Sequence, residues 1–241
     1  MSSRVPSTLW RISDFQRQRD LTGQATTVLS TTLVAELRQL QSRSDTDDVV
    51  EVLAAFMRHR ESALLYLAYG PQVWPLTLFP SQGLVHSPRP LASMQDAERL
   101  AQLRLLAAER PILRPPGHYM HERVANPEQY QPLAPLLWHL ALNGPRSVLL
   151  SEIAGRAAYR LAAGQTHGFV PRGALAPAVS RLRLGAVPVA EIARWPGMSE
   201  DRACRLLNAL YLTDALMVTR SHPAARDPAE KGWRAFFARR H

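Results

Sequence analysis

The chain has 241 residues, which fits one large domain or two small ones of about 100–150 residues each. With 46% hydrophobic and 20% charged residues it can bury a core, which excludes an intrinsically disordered tail. Its single cysteine, Cys204, excludes an intramolecular disulfide and a cysteine-based zinc site.

Neither a secretory signal nor a membrane span is predicted. The N-terminal residues contain no apolar stretch of the kind that signal peptides carry. The longest apolar run, residues 62–69, is far shorter than the roughly 20 residues that cross a bilayer. We therefore expect a cytoplasmic protein whose single thiol is reduced.

Arginine supplies almost all of the positive charge. The net charge is +9, and Lys231 is the only lysine among 29 basic residues. GC-rich coding also favours arginine, so the total alone says little about function. The distribution is more informative, because residues 1–150 carry a net charge of +2 and residues 151–241 carry +7. The positive field of the second part predicts an acidic protein, nucleic acid or anionic lipid as partner.

Two helices followed by a β-meander are predicted for the first part of the chain. The apolar spacing indicates helices over residues 31–41 and 48–59. Short apolar runs separated by turns indicate three antiparallel strands, over residues 62–69, 73–79 and 84–86. Because proline cannot donate to a strand ladder, Pro75 predicts that the second strand lies at an edge of the sheet.

A long helix and a proline-rich connection come next. Apolar residues recur at helical spacing, which predicts one helix over residues 93–109, and three prolines within residues 111–117 end it. The composition then shifts, so we place a domain boundary at this point. Residues 1–125 are expected to form an α+β domain of helices around a three-stranded meander. Residues 126–241 are expected to form a helical domain.

The most regular pattern of the chain lies in residues 174–220. Earlier helices are predicted over residues 129–143 and 147–154. The pattern itself predicts helices over residues 174–184, 187–194 and 199–212, then a strand over residues 215–219. Three helices closed by a strand are the order of a winged-helix unit.

A small set of residues carries this order: Val189, Glu191, Ile192, Ala193, Gly197, Glu200, Leu206, Leu207, Leu210 and Leu216. On these residues the pattern resembles winged-helix modules, in particular the small helical module that follows PATAN-type regions in bacterial signalling proteins. The resemblance covers roughly a fifth of the chain. It implies a winged-helix-like fold for residues 174–220, and it implies nothing specific about the partner.

The third helix carries features for two different uses of such a unit. Its predicted outward face has Arg202, Arg205 and Asn208, and these residue types pair with guanine and adenine in a major groove. Glu200 and Asp201 at its leading end repel phosphates, which favours a protein partner. DNA binding through residues 199–212 is the alternative hypothesis.

The tail, residues 228–241, is a second candidate binding element. Its aromatic residues recur at helical spacing among basic ones, as in segments that dock in a groove, lie on an anionic surface or stack on nucleic acid. The alternative is a helix folded back on its own domain. The predicted partner- or DNA-binding residues are Arg202, Arg205, Asn208, Arg220, Lys231, Trp233, Arg234, Phe237, Arg239 and Arg240.

No motif of a phosphate loop, hydrolase elbow or zinc protease occurs in the chain. His118, His121 and Glu122 form its one dense cluster of ligating residue types. Metal sites usually take three or four protein ligands and no second cluster is evident, so we predict no metal, cofactor or catalytic residue. A metal-dependent enzyme acting at residues 118–122 is the third hypothesis.

The sequence thus predicts a mainly α fold with a small antiparallel β-meander, in the α+β class, and a winged-helix-like module near its C-terminal end. We expect a non-enzymatic bacterial regulatory or adaptor protein. Its C-terminal module would bind an acidic partner protein through the basic face. The sequence does not predict the oligomeric state.

Overall fold

The computed structural model describes residues 9–22, 29–43, 48–162 and 171–225. The chain divides into two compact units, residues 1–146 and residues 147–241. The sequence placed this boundary at 125/126 instead. The difference arises because a strand and a helix within residues 130–143 pair and pack with elements of the first unit. Helices and an antiparallel sheet together confirm the α+β class.

The described residues of the first unit form six strands and five α-helices, besides short 3₁₀ turns. The strands are β1 (Trp10–Arg11), β2 (Ala63–Tyr69), β3 (Gln72–Phe79), β4 (Leu84–His86), β5 (Arg104–Glu109) and β6 (Tyr130–Pro132). The helices are α1 (Ile12–Thr22), α2 (Thr31–Arg43), α3 (Val49–His59), α4 (Ala97–Ala101) and α5 (Leu133–Asn143).

These strands make one antiparallel sheet in the order β5-β2-β3-β4-β6, with β1 also paired to β3. The predicted meander is confirmed as β2-β3-β4. Nearly every residue of β2 and β3 is buried. Because alternate side chains point to opposite faces of a strand, both faces of the central sheet are covered.

The prediction that Pro75 marks an edge strand is wrong, because β3 lies inside the sheet. On one side β3 pairs with β2 along its length. On the other side β1 pairs with residues 72–73 and β4 pairs with residues 77–79. Pro75 falls in the gap between these two partners, where a missing backbone N–H breaks no ladder hydrogen bond.

The predicted helix over residues 93–109 is also wrong, since that stretch is a short helix followed by a strand. The Asp96 carboxylate accepts hydrogen bonds from the backbone N–H groups of Glu98 and Arg99, at 3.1 and 3.2 Å, and α4 ends at Ala101. The following residues, as β5, pair with the open edge of β2. Pairing with the sheet therefore outweighs a local apolar spacing that also fits a helix.

The second unit, as far as the structure describes it, has two strands and three α-helices, besides a short 3₁₀ turn. They follow in the order β7 (Ala158–Leu161), α6 (Leu175–Leu184), α7 (Val189–Ile192), α8 (Glu200–Leu212) and β8 (Leu216–Thr219). The predicted helices and strand of residues 174–219 are thus confirmed to within a few residues. β7 and β8 pair antiparallel, and Val187 bridges to Tyr159 of β7.

The helix predicted over residues 147–154 is wrong. This stretch forms a single turn in which the Ile153 and Ala154 N–H groups donate to the Leu150 carbonyl, at 3.1 and 2.9 Å. The N–H of Leu150 itself donates to a side chain of α8. Bonds to α8 thus replace the repeating bonds that a helix needs.

A buried ion cluster joins the chain after α5 to the start of α3. The Arg146 guanidinium lies 2.7 Å from a Glu51 carboxylate oxygen and also donates to the Asp48 carboxylate. Asp48 caps α3 as well, accepting from the Val50 N–H at 2.9 Å. All three charged side chains are more than four-fifths buried. Removing one partner would leave uncompensated charge in the interior.

We predict that Arg146→Ala lowers the free energy of unfolding by about 3 kcal/mol, because two buried carboxylates lose their counter-charge. Urea denaturation followed by far-UV circular dichroism measures the loss.

Arg17→Ala is the matched control, since Arg17 is exposed and its contact with Asp14 is 3.9 Å long. We expect that change to cost less than about 0.5 kcal/mol. Equal effects of the two substitutions would contradict a structural role for the Arg146 cluster.

Candidate interaction surface

The third helix of the second unit, α8, begins as the sequence predicts. The Ser199 hydroxyl accepts a hydrogen bond from the Arg202 backbone N–H at 3.2 Å, and Glu200 and Asp201 complement the positive end of the helix dipole. The preceding turn needs glycine at position 197, where φ is +73°. A Cβ there would also lie 2.8 Å from the Ala174 Cβ, at the start of α6.

Most of α8 is buried. Only Glu200, Asp201 and Arg202 of its first turn are exposed, while Arg205 and Tyr211 are partly exposed. The remaining residues are buried: Ala203, Cys204, Leu206, Leu207, Asn208, Ala209, Leu210 and Leu212. The helix therefore presents one turn, rather than a long face, to other molecules.

Asn208 is fully buried and bonded at both ends of its side-chain amide. Its oxygen accepts from the Leu150 N–H at 2.9 Å, and its nitrogen donates to the Val148 carbonyl at 2.9 Å. The Tyr211 hydroxyl donates to the Glu152 carboxylate. Residues 148–154, which we call the covering segment, thus lie along α8. The structure does not place Asn208 on an accessible face, contrary to its assignment as a binding residue.

Arg220 forms hydrogen bonds with the other end of the covering segment. Its guanidinium donates to the carbonyls of Glu152 and Ala154, at 2.6 and 3.0 Å. The Tyr159 hydroxyl donates to the Ile153 carbonyl at 2.6 Å. Burial raises the pKa of Tyr159 to about 12, with a lowering contribution from Arg220 and a raising one from Cys204. Tyr159 is therefore a neutral donor inside the unit.

The two arginines of α8, Arg202 and Arg205, are both engaged within the unit. The Arg202 guanidinium donates to the Gly197 carbonyl at 2.7 Å. The Arg205 Nε lies 3.0 Å from both carboxylate oxygens of Asp201. An arginine that faces a carboxylate of its own helix adds little net positive field at that place.

The exposed arginines of α6 and of the turn after α7 are arranged differently. Arg181, Arg183 and Arg194 form no ion pair with any carboxylate among the described residues. The Arg181 guanidinium lies over the Trp195 ring, 5.4 Å from its centroid. Leu184, at the end of α6, is 88% exposed.

Sequence reasoning missed this group of residues. The sequence did contain a signal, because Leu184 falls outside the inward stripe of α6, which ends at Leu182. The predicted tail residues Lys231, Trp233, Arg234, Phe237, Arg239 and Arg240 lie outside the described residues.

The described His, Asp and Glu side chains of the first unit do not form a metal site with three or four ligands. The His118 ring stacks on Tyr119 with the centroids 4.5 Å apart, and its Nδ1 accepts from the Met120 N–H at 3.1 Å. His121 and Glu122 are exposed on a short 3₁₀ turn. Nowhere in the described residues do three or more His, Cys, Asp or Glu side chains converge as metal ligands would.

A cavity of about 270 Å³ also opens in the first unit. Its wall is largely apolar, with Gln95, Gln131 and His139 as the polar members. The His139 Nε2 lies 2.8 Å from the Met94 carbonyl, to which it donates. The residues that line the cavity include no carboxylate that could pair with His139 for acid–base chemistry.

No family model, curated protein or solved structure matches the chain. Within the described ranges, no helix has both the length and the apolar character that crossing a membrane requires. The winged-helix resemblance and the cytoplasmic location stay predictions.

We predict that Asn208→Leu lowers the free energy of unfolding by about 2 kcal/mol, because the Leu150 N–H and the Val148 carbonyl lose their partner at nearly constant side-chain volume. Thermal and urea denaturation measure the loss. Asn143→Leu, at an exposed asparagine of α5, should change the stability by less than about 0.5 kcal/mol. If the Asn208→Leu variant is as stable as the wild type, the two hydrogen bonds of the Asn208 amide do not contribute as described.

Proposed function

We propose that this protein is a non-enzymatic bacterial regulator or adaptor whose C-terminal unit, winged-helix-like in its order of elements, binds an acidic partner protein. The order β7-α6-α7-α8-β8 supports the winged-helix proposal. The bridge between Val187 and Tyr159, with hydrogen bonds of 2.8 and 3.0 Å, adds a third short strand segment between α6 and α7. Small sheets beside three helices are typical of such units.

The observation that carries the proposal is the burial of α8. A helix that reads DNA inserts exposed side chains into the major groove, where they contact base edges. Asn208 is bonded to the covering segment, and Arg205 faces Asp201. The exposed turn also carries two carboxylates, which phosphates repel. These contacts favour a protein partner over base reading by α8.

The charge of the second unit indicates the kind of partner protein that it binds. The described residues of the second unit include nine arginines and five acidic residues. Complementary charge speeds the encounter of two proteins and selects against partners of like charge. A surface with excess arginine therefore favours a partner with excess Asp and Glu.

We predict that the immobilised full-length chain captures a stoichiometric acidic protein from a nuclease-treated lysate of the cells that express it natively. Capture should fall when salt rises from about 50 to 200 mM, because exposed charges are screened. Quantitative mass spectrometry measures the enrichment, and fluorescence anisotropy measures duplex DNA binding in parallel.

The control neutralises Arg38, Arg89 and Arg110, three exposed arginines of the first unit, by changing each to glutamine. This variant should capture the same protein. If the wild-type chain enriches no protein and retains duplex DNA at 200 mM salt, roughly physiological for DNA binding, the alternative of a DNA-binding regulator replaces the proposal.

A further inference from the structure

The most exposed large apolar side chain of the described residues lies in the second unit. Leu184, 88% exposed, ends α6, whose buried side is formed by Ala178, Val179 and Leu182. Arg181 lies one turn before Leu184 on the same face of the helix. Leu184 is thus an apolar group on a basic helical face, away from the core.

Trp195 holds the Arg181 guanidinium in place. The two groups are 5.4 Å apart, the distance of a cation–π contact. An arginine that rests on an aromatic ring has already lost part of its side-chain freedom, so it loses less on binding a carboxylate. Trp195 is only partly buried and offers further apolar surface beside the charge.

Two more exposed arginines adjoin this pair in the sequence. Arg183 precedes Leu184, and Arg194 precedes Trp195. Glu191, one turn before Arg194, forms no ion pair with it in this described segment. We call Arg181, Arg183, Leu184, Arg194 and Trp195 the α6 patch. It combines an apolar centre with positive charge that pairs with no carboxylate among the described residues.

We propose that the α6 patch is the docking surface for an acidic protein segment that places an apolar side chain on Leu184 and carboxylates on the surrounding arginines. The proposal rests on the proposed function and names the surface that performs it. Charge complementarity selects this occupant, since a second copy of the patch would bring like charges together. A DNA backbone would meet the arginines with its phosphates but offers Leu184 only sugar C–H groups instead of an apolar side chain.

The test uses a fluorescein-labelled synthetic peptide in which glutamates surround two leucines, titrated with the full-length chain. Leu184→Ser should weaken binding about tenfold, as expected for the loss of one buried leucine contact. Arg181→Gln/Arg183→Gln/Arg194→Gln should weaken it at least about tenfold and reduce its salt dependence. A peptide with glutamine in place of every glutamate should not bind.

Matched controls distinguish the loss of contacts with the α6 patch from the general effect of removing an exposed leucine or three exposed arginines. Leu21→Ser removes a leucine of the first unit that is 82% exposed, and the triple Arg38, Arg89 and Arg110 variant removes the same number of charges. Both should bind the peptide within about twofold of the wild type. Circular dichroism establishes that each variant is folded.

Three outcomes overturn the inference: no binding of the peptide, equal binding by the patch variants and the controls, or displacement by duplex DNA with no effect of Leu184→Ser. These results differ from failure of the proposed function. If the patch variants still capture an acidic partner from the lysate, the docking surface is wrong and the adaptor function stands. If no form of the chain captures a partner, both the docking surface and the adaptor function are wrong.

Discussion

The two hydrogen bonds of the Asn208 amide determine what the second unit presents to other molecules. They replace backbone bonds that residues 148–154 would otherwise need, so this stretch lies along α8 rather than forming a helix of its own. A buried amide that satisfies a donor and an acceptor together is costly to lose, because both backbone groups would be left unpaired in the interior. The Tyr211 hydroxyl and the Arg220 guanidinium secure the same segment at its other end.

Because most of α8 is covered, the positive charge that a partner could bind must lie on other elements of the second unit. Arg220 is engaged with backbone carbonyls, and Arg205 faces a carboxylate of its own helix. The arginines of the α6 patch form no ion pair with a carboxylate in the part of the chain that the structure describes, and the exposed Leu184 lies among them. Charge steers an acidic partner towards this surface, while burial of Leu184 adds an apolar contribution that nonspecific ionic attraction lacks.

Elements that depend on neighbouring residues were predicted correctly from the sequence. The predictions were wrong where contacts between distant parts of the chain determine the structure. Ser199, the turn glycine at 197 and the apolar stripe of α8 are local signals, and this helix was predicted to within a residue. Residues 104–109 became a strand because the edge of β2 was open to them, which no short window of sequence reveals. Asn208 was assigned to the outward face because its partners, Val148 and Leu150, lie 60 and 58 residues away in the chain. Leu184 could have been recognised, since it breaks the inward stripe of α6.

The single cysteine gives the most direct test that α8 is covered. Cys204 is buried and lies on the same helical face as Asn208 and Tyr211, four and seven residues before them. Ellman's reagent should therefore react with the native full-length chain about a hundredfold or more slowly than with the urea-unfolded chain, since the thiol reacts only when the unit opens. Asn208→Leu should speed the reaction of the native protein. A native thiol that reacts as fast as the unfolded one would show that this face of α8 is open and would contradict the account.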